Sequence, residues 1–102
     1  MKLLFAIAIL ISFVSVDRDF RYKCDYAANH DTLVVMLETA FPGREKAEVY
    51  WRLARASLMM GEEQQTKEAK RKYFNQGIEW AEKGLKEDSS SKECYMWHCA
   101  NV

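Results

Sequence analysis

Three residues near the end of the chain carry chemistry-capable side chains close together: Cys94, His98 and Cys99. Cys94 and His98 are four apart, so on a helix they share one face, and Cys99 follows directly. Zinc needs three or four ligands, and the remaining candidates, Cys24 and His30, are remote in sequence. No metal is expected, and Cys94, His98 and Cys99 are expected to pack in a seam between helices. Cys94 and Cys99 do not bridge each other within one continuous helix, because five residues set them about 140° apart. Three cysteines also exclude a fully paired scaffold within one chain. The sequence has no Gly-rich phosphate loop, no Gly-x-Ser-x-Gly elbow, no His-Glu-x-x-His and no Cys-x-x-Cys. No catalytic residue and no cofactor are expected, and the chain is not expected to be an enzyme.

Binding chemistry is better represented. Trp51, Arg55 and Met59 stand at i, i+4 and i+8 on one helical stripe. An exposed indole beside a planar guanidinium suits an apolar or carboxylate group of a partner. The same spacing is met if Trp51 packs on the preceding helix and Arg55 faces water. The mixed charges of residues 62–72 suit a solvated helix face.

These residues need helices to hold them, and the apolar spacing supplies helices only. Residues 17–30 suggest a short, weak helix with Phe20, Tyr22, Cys24 and Tyr26, and Asn29-His30-Asp31 a turn. Asp31 would cap a helix in which Leu33, Met36, Leu37, Ala40 and Phe41 recur at steps of three and four, stopped by Pro42-Gly43. The next helix runs from Arg44 to Met60 through Val49, Tyr50, Leu53, Ala54, Ser57 and Leu58, with Gly61 expected just past its C-terminus. A long helix follows over residues 66–87, its stripe of Ala69, Tyr73, Gly77, Ala81 and Leu85 repeating at four. Glu63–Lys67, Glu68–Lys72, Glu79–Lys83 and Glu82–Lys86 are spaced for i,i+4 ion pairs. Asp88-Ser89-Ser90-Ser91 caps a last helix from about Lys92. Nothing reads as a strand, so the predicted fold class is all-α.

Tyr50, Leu53, Ala54 and Gly61 reproduce an aromatic, Leu-small and turn-glycine pattern that resembles the first helix of a tetratricopeptide (TPR) repeat. Gly77, Ala81 and Gly84 stand at the small positions of the second helix. Ala81 replaces the usual large aromatic, Ser89 stands where proline is common, and about eleven extra residues precede these positions. Eleven residues make three turns plus about 20°, so the helix is longer by roughly 16 Å with its face preserved. The run Glu48-Val49-Tyr50-Trp51-Arg52-Leu53-Ala54-Arg55-Ala56, the lengthened helix and Tyr95-Met96-Trp97-His98-Cys99-Ala100 resemble the N-terminal part of the regulator-of-microtubule-dynamics (RMD) family. They are equally similar to exported bacterial TPR proteins. The resemblance implies a truncated solenoid of antiparallel helix pairs, with Trp51 and Arg55 facing a concave groove that holds peptides or helices. It also implies two alternatives: a ligand- or lipid-handling array, and a cytoskeletal or mitochondrial-surface adaptor.

Composition bounds these readings. The chain has 102 residues, 29% charged and 49% apolar, which fits one domain. Fifteen basic residues balance fifteen acidic ones, leaving no surplus for phosphate neutralisation, so nucleic acid is not an expected partner. Residues 3–16 are almost wholly apolar after Lys2 and end abruptly at Asp17-Arg18-Asp19. Such a run rises about 21 Å, short of the ~30 Å hydrocarbon core. Residues 1–16 are therefore expected to be a signal peptide, with a membrane anchor as the alternative, and residues 17–102 the helical-repeat domain. Export to the periplasm or outside the cell follows from the first, membrane tethering from the second. The expected partner is a protein or peptide. One complete repeat and two halves leave apolar surface on the last helix, which predicts self-association there.

Overall fold

The computed structural model describes residues 13–102. Helix α1 covers residues 13–22, followed by α2 (Tyr26–Met36), α3 (Arg44–Glu62), α4 (Lys67–Glu87) and α5 (Lys92–Asn101). The described residues contain no strand, and the protein is all-α as its spacing predicts. No helix among them is long and apolar enough to cross a membrane. The run at residues 1–12 lies outside the described residues.

Side-chain caps start three of the helices. Asp25 accepts from the Ala28 N–H, Thr66 from Ala69 and Ser91 from Cys94, at 3.1 to 3.2 Å. Helix α3 starts differently. Gly43, at φ +88°, turns the chain after Pro42, and its N–H donates to the Glu87 carboxylate at 2.8 Å. This bond ties the start of α3 to the end of α4.

Close approaches at glycine fix how the long helices run. A Cβ on Gly61 would lie 2.5 Å from the Phe74 ring, and one on Gly84 would meet the Tyr50 Cβ at 3.1 Å. Eleven residues back along α3 thus correspond to ten forward along α4, so the two form an antiparallel hairpin. Cβ atoms on Gly84 and Gly77 would collide with Cys94 Sγ and with the Asn101 amide. Seven residues back along α4 match seven forward along α5, so this pair is antiparallel too. Gly77, Ala81 and Gly84 are all buried, the small stripe expected of α4. Leu33, Met36, Ala40, Val49 and Leu53 form the core with Phe13 and Val16 from α1, and Tyr50 and Trp80 cover it.

Several local expectations are corrected. Asn29-His30-Asp31 is not a turn but lies inside α2, and Asp25, not Asp31, caps it. The buried Asn29 amide donates to the Val16 carbonyl at 2.9 Å, a tertiary bond that replaces the local turn. Cys24, at φ +55°, makes the break between α1 and α2 instead. Helix α2 ends at Met36 and not at Phe41, because Glu38 and Thr39 take the i−3 carbonyls and Pro42 disfavours helix before it. Gly61 lies within α3, where its missing side chain admits Phe74. Glu63 and Lys67 belong to different elements, and among the described residues none of the four expected Glu–Lys pairs closes to 4 Å. Only Cys94 of the three C-terminal candidates is buried in a seam, with Sγ 3.7 Å from the Ala47 carbonyl. Cys99 is exposed, and His98 lies at the surface 3.4 Å from Glu82.

Candidate functional site: the cleft between α1, α3 and α5

The polar centre of the molecule is the contact of α1 with α3. Asp17 receives both Nε and Nη2 of Arg52 at 2.9 and 3.0 Å, and Nη2 of Arg55 at 2.7 Å. Arg52 also donates to the Glu48 carboxylate and carbonyl at 2.9 and 3.0 Å. Helical spacing explains the geometry: Glu48, Arg52 and Arg55 lie on one face of α3, and Asp17 meets them from across the interface. Aromatic rings line the ion network. The Arg52 guanidinium lies 4.2 Å from the centroids of Phe13 and Trp51, and that of Arg55 lies 3.9 Å from Phe20. Burial works to raise the Asp17 carboxyl, but hydrogen bonds and charge from Arg52 and Arg55 hold it below the usual carboxylate range. Burial lowers the Arg55 guanidinium, with Asp17 opposing.

Beside this network opens a cleft of about 620 Å³. Helix α1 contributes Asp17, Arg18, Phe20, Arg21 and Tyr22, α3 contributes Arg55, and α5 contributes Trp97. Arg55 Nε and Trp97 Nε1 are buried and make no hydrogen bond among the described residues. Such donors are rare in folded proteins.

Of the three binding residues suggested by sequence, only Arg55 lines this cleft. Trp51 is half-buried, donates its indole N–H to Glu48 at 2.8 Å, and stacks under both arginines. Met59 is half-buried one turn further along α3. Arg18, Arg21, Tyr22 and Trp97 escaped the sequence reading. The alternation of arginine with aromatics over residues 18–22 is the local signal that marks the first three, and it does not reach Trp97 on α5.

Among the described residues no three His, Cys, Asp or Glu side chains are placed to share a metal ion. All three cysteines are free thiols, and burial pushes that of Cys94 up. His30, edge-on to Trp80, is pushed down by burial against the opposing charge of Asp31.

No curated protein and no solved structure matches the chain. The sequence profile of the family described as Regulator of microtubule dynamics protein 1-3 matches residues 17–102, which takes in every cleft residue. The chain belongs to the regulator of microtubule dynamics protein 1-3 family.

Proposed function

We propose that the protein is a non-enzymatic adaptor of the TPR type, which holds a segment of a protein partner in the cleft between α1, α3 and α5. The observation that carries this reading is the open cleft of about 620 Å³ between three helices, in which the guanidinium groups of Arg18, Arg21 and Arg55 stand beside the rings of Phe20, Tyr22 and Trp97. Arginine and aromatic side chains are the types that carry most binding energy at protein interfaces. Antiparallel hairpins with a small-residue stripe support the TPR relationship. Co-purification of the tagged full chain from its source cells tests the reading. Tyr22 stands 74% exposed at the rim, so Tyr22→Ala is expected to lose the partner while leaving the melting temperature unchanged. Retention of the same proteins by this variant would contradict it.

The family description favours a cytoskeletal setting for that adaptor. Pelleting of the protein with polymerised tubulin would support that setting, and recovery in the supernatant would remove it. For the N-terminal run, the packing supports a retained membrane anchor over a leader removed after residue 16. Phe13 and Val16 are core residues, and such a cut would take both away.

A further inference from the structure

The protein has no net charge, yet the walls of the cleft carry three guanidinium groups, Arg18, Arg21 and Arg55, against one carboxylate, Asp17. That carboxylate is already engaged by Arg52 and Arg55. Arg18 donates to the Ser15 hydroxyl at 3.3 Å, and its one ion pair among the described residues is an exposed 3.7 Å contact with Asp19, which contributes little. Arg21 has no acidic group within 4 Å among the described residues. The cleft therefore presents unspent positive charge. Around these polar groups stand the rings of Phe20, Tyr22 and Trp97.

We infer that the cleft receives an acidic–aromatic segment of a partner protein. Its carboxylates would lie on Arg18 and Arg21, and its apolar side chain on Tyr22 and Phe20. This inference rests on the partner-binding reading above and names the chemistry of the partner. The chain already displays the recognition it requires. Asp17 sits on Arg55 at 2.7 Å, and Phe20, three residues on, lies 3.9 Å from the same guanidinium. A carboxylate with a ring one helical turn away is thus a combination this surface of α3 accommodates. Charge complementarity selects acidic over basic segments and speeds their encounter. A lipid headgroup offers the negative charge but no ring for the aromatic wall.

The test uses the full chain and a blocked, fluorescein-labelled octapeptide, Asp-Phe-Glu-Asp-Phe-Glu-Asp-Phe, followed by fluorescence anisotropy. Its Asn/Gln counterpart is the neutral probe, and phosphatidylcholine vesicles containing phosphatidylserine are the lipid probe. The acidic peptide is expected to bind at least tenfold tighter than the neutral one, and more weakly as salt rises. Arg21→Glu, at an exposed position, is expected to weaken binding at least tenfold with unchanged melting. Equal binding of the neutral and acidic peptides would overturn the acidic chemistry and leave the partner reading standing. Binding of the vesicles without the peptide would overturn the inference in favour of a lipid surface. Failure of both peptides would overturn it as well, and the Tyr22→Ala co-purification separately decides whether the partner reading survives.

Discussion

Asp17 is the residue on which the α1–α3 contact turns. Its carboxylate is 38% exposed while the Arg52 side chain is 9% exposed, so its loss leaves a nearly buried guanidinium short of its partner. Breaking a fully buried pair costs about 3–5 kcal/mol, and partial exposure brings Asp17→Ala down to about 2 kcal/mol, read from urea unfolding. The same carboxyl sets an acid limit. Its folded-state pKa lies below the unfolded value of about 3.9. The contribution is therefore fully present above that pH and is lost as pH falls through the folded value. A melting-temperature series in wild type is expected to fall more steeply below about pH 4 than the same series in Asp17→Asn. Parallel curves would remove Asp17 from the account. Gly84 is a second decisive residue. In an open helix Gly→Ala stabilises by up to ~1 kcal/mol, but here the new Cβ meets Cys94 Sγ and Tyr50. Gly84→Ala is expected to destabilise by about 1–3 kcal/mol in the same assay. The small residues of α4 were legible because their spacing repeats along one helix. Arg18 and Arg21 were legible only as an alternation with aromatics along α1, and Trp97 was not, because it joins them only across helices and no spacing within a single helix records that.

At the scale of elements, the long helices and the capped start of α5 were readable, and the bounds of α1 and α2 were not. Helices α3 and α4 span 19 and 21 residues, so their periodic stripes outweigh local signals. In α1 and α2 one tertiary bond, from Asn29 to Val16, overrides a turn-forming sequence. The change of composition at Asp17 suggests a boundary, but α1 runs across it from residue 13 to 22. Phe13 and Val16 lie before that line and are nevertheless buried in the core, at 7% and 4% exposure. Burying a side chain of this kind contributes about 1.5–3 kcal/mol. A chain starting at Asp17 is therefore expected to unfold at lower urea than one starting at Met1, by about 3 kcal/mol or more. Coincident unfolding curves would show that residues 13–16 add nothing to the domain.

For the whole molecule, the apolar positions left outside matter most. Tyr95 and Met96 on α5 are each more than half exposed, and adjoining exposed apolar side chains mark contact surfaces. We expect concentration-dependent self-association in sedimentation, abolished by Tyr95→Glu with Met96→Lys at unchanged melting temperature. A monomer at all concentrations would contradict this. The central claim is that a protein segment lies in the cleft beside Arg55 and Trp97. Photocrosslinking in the source cells tests it most directly, with the full-length protein carrying a photoreactive side chain at position 22, on the cleft rim, or at position 79, exposed on α4. The account predicts a discrete protein adduct at position 22 and none at position 79. Adducts of equal yield at both positions, or none at position 22, would contradict it.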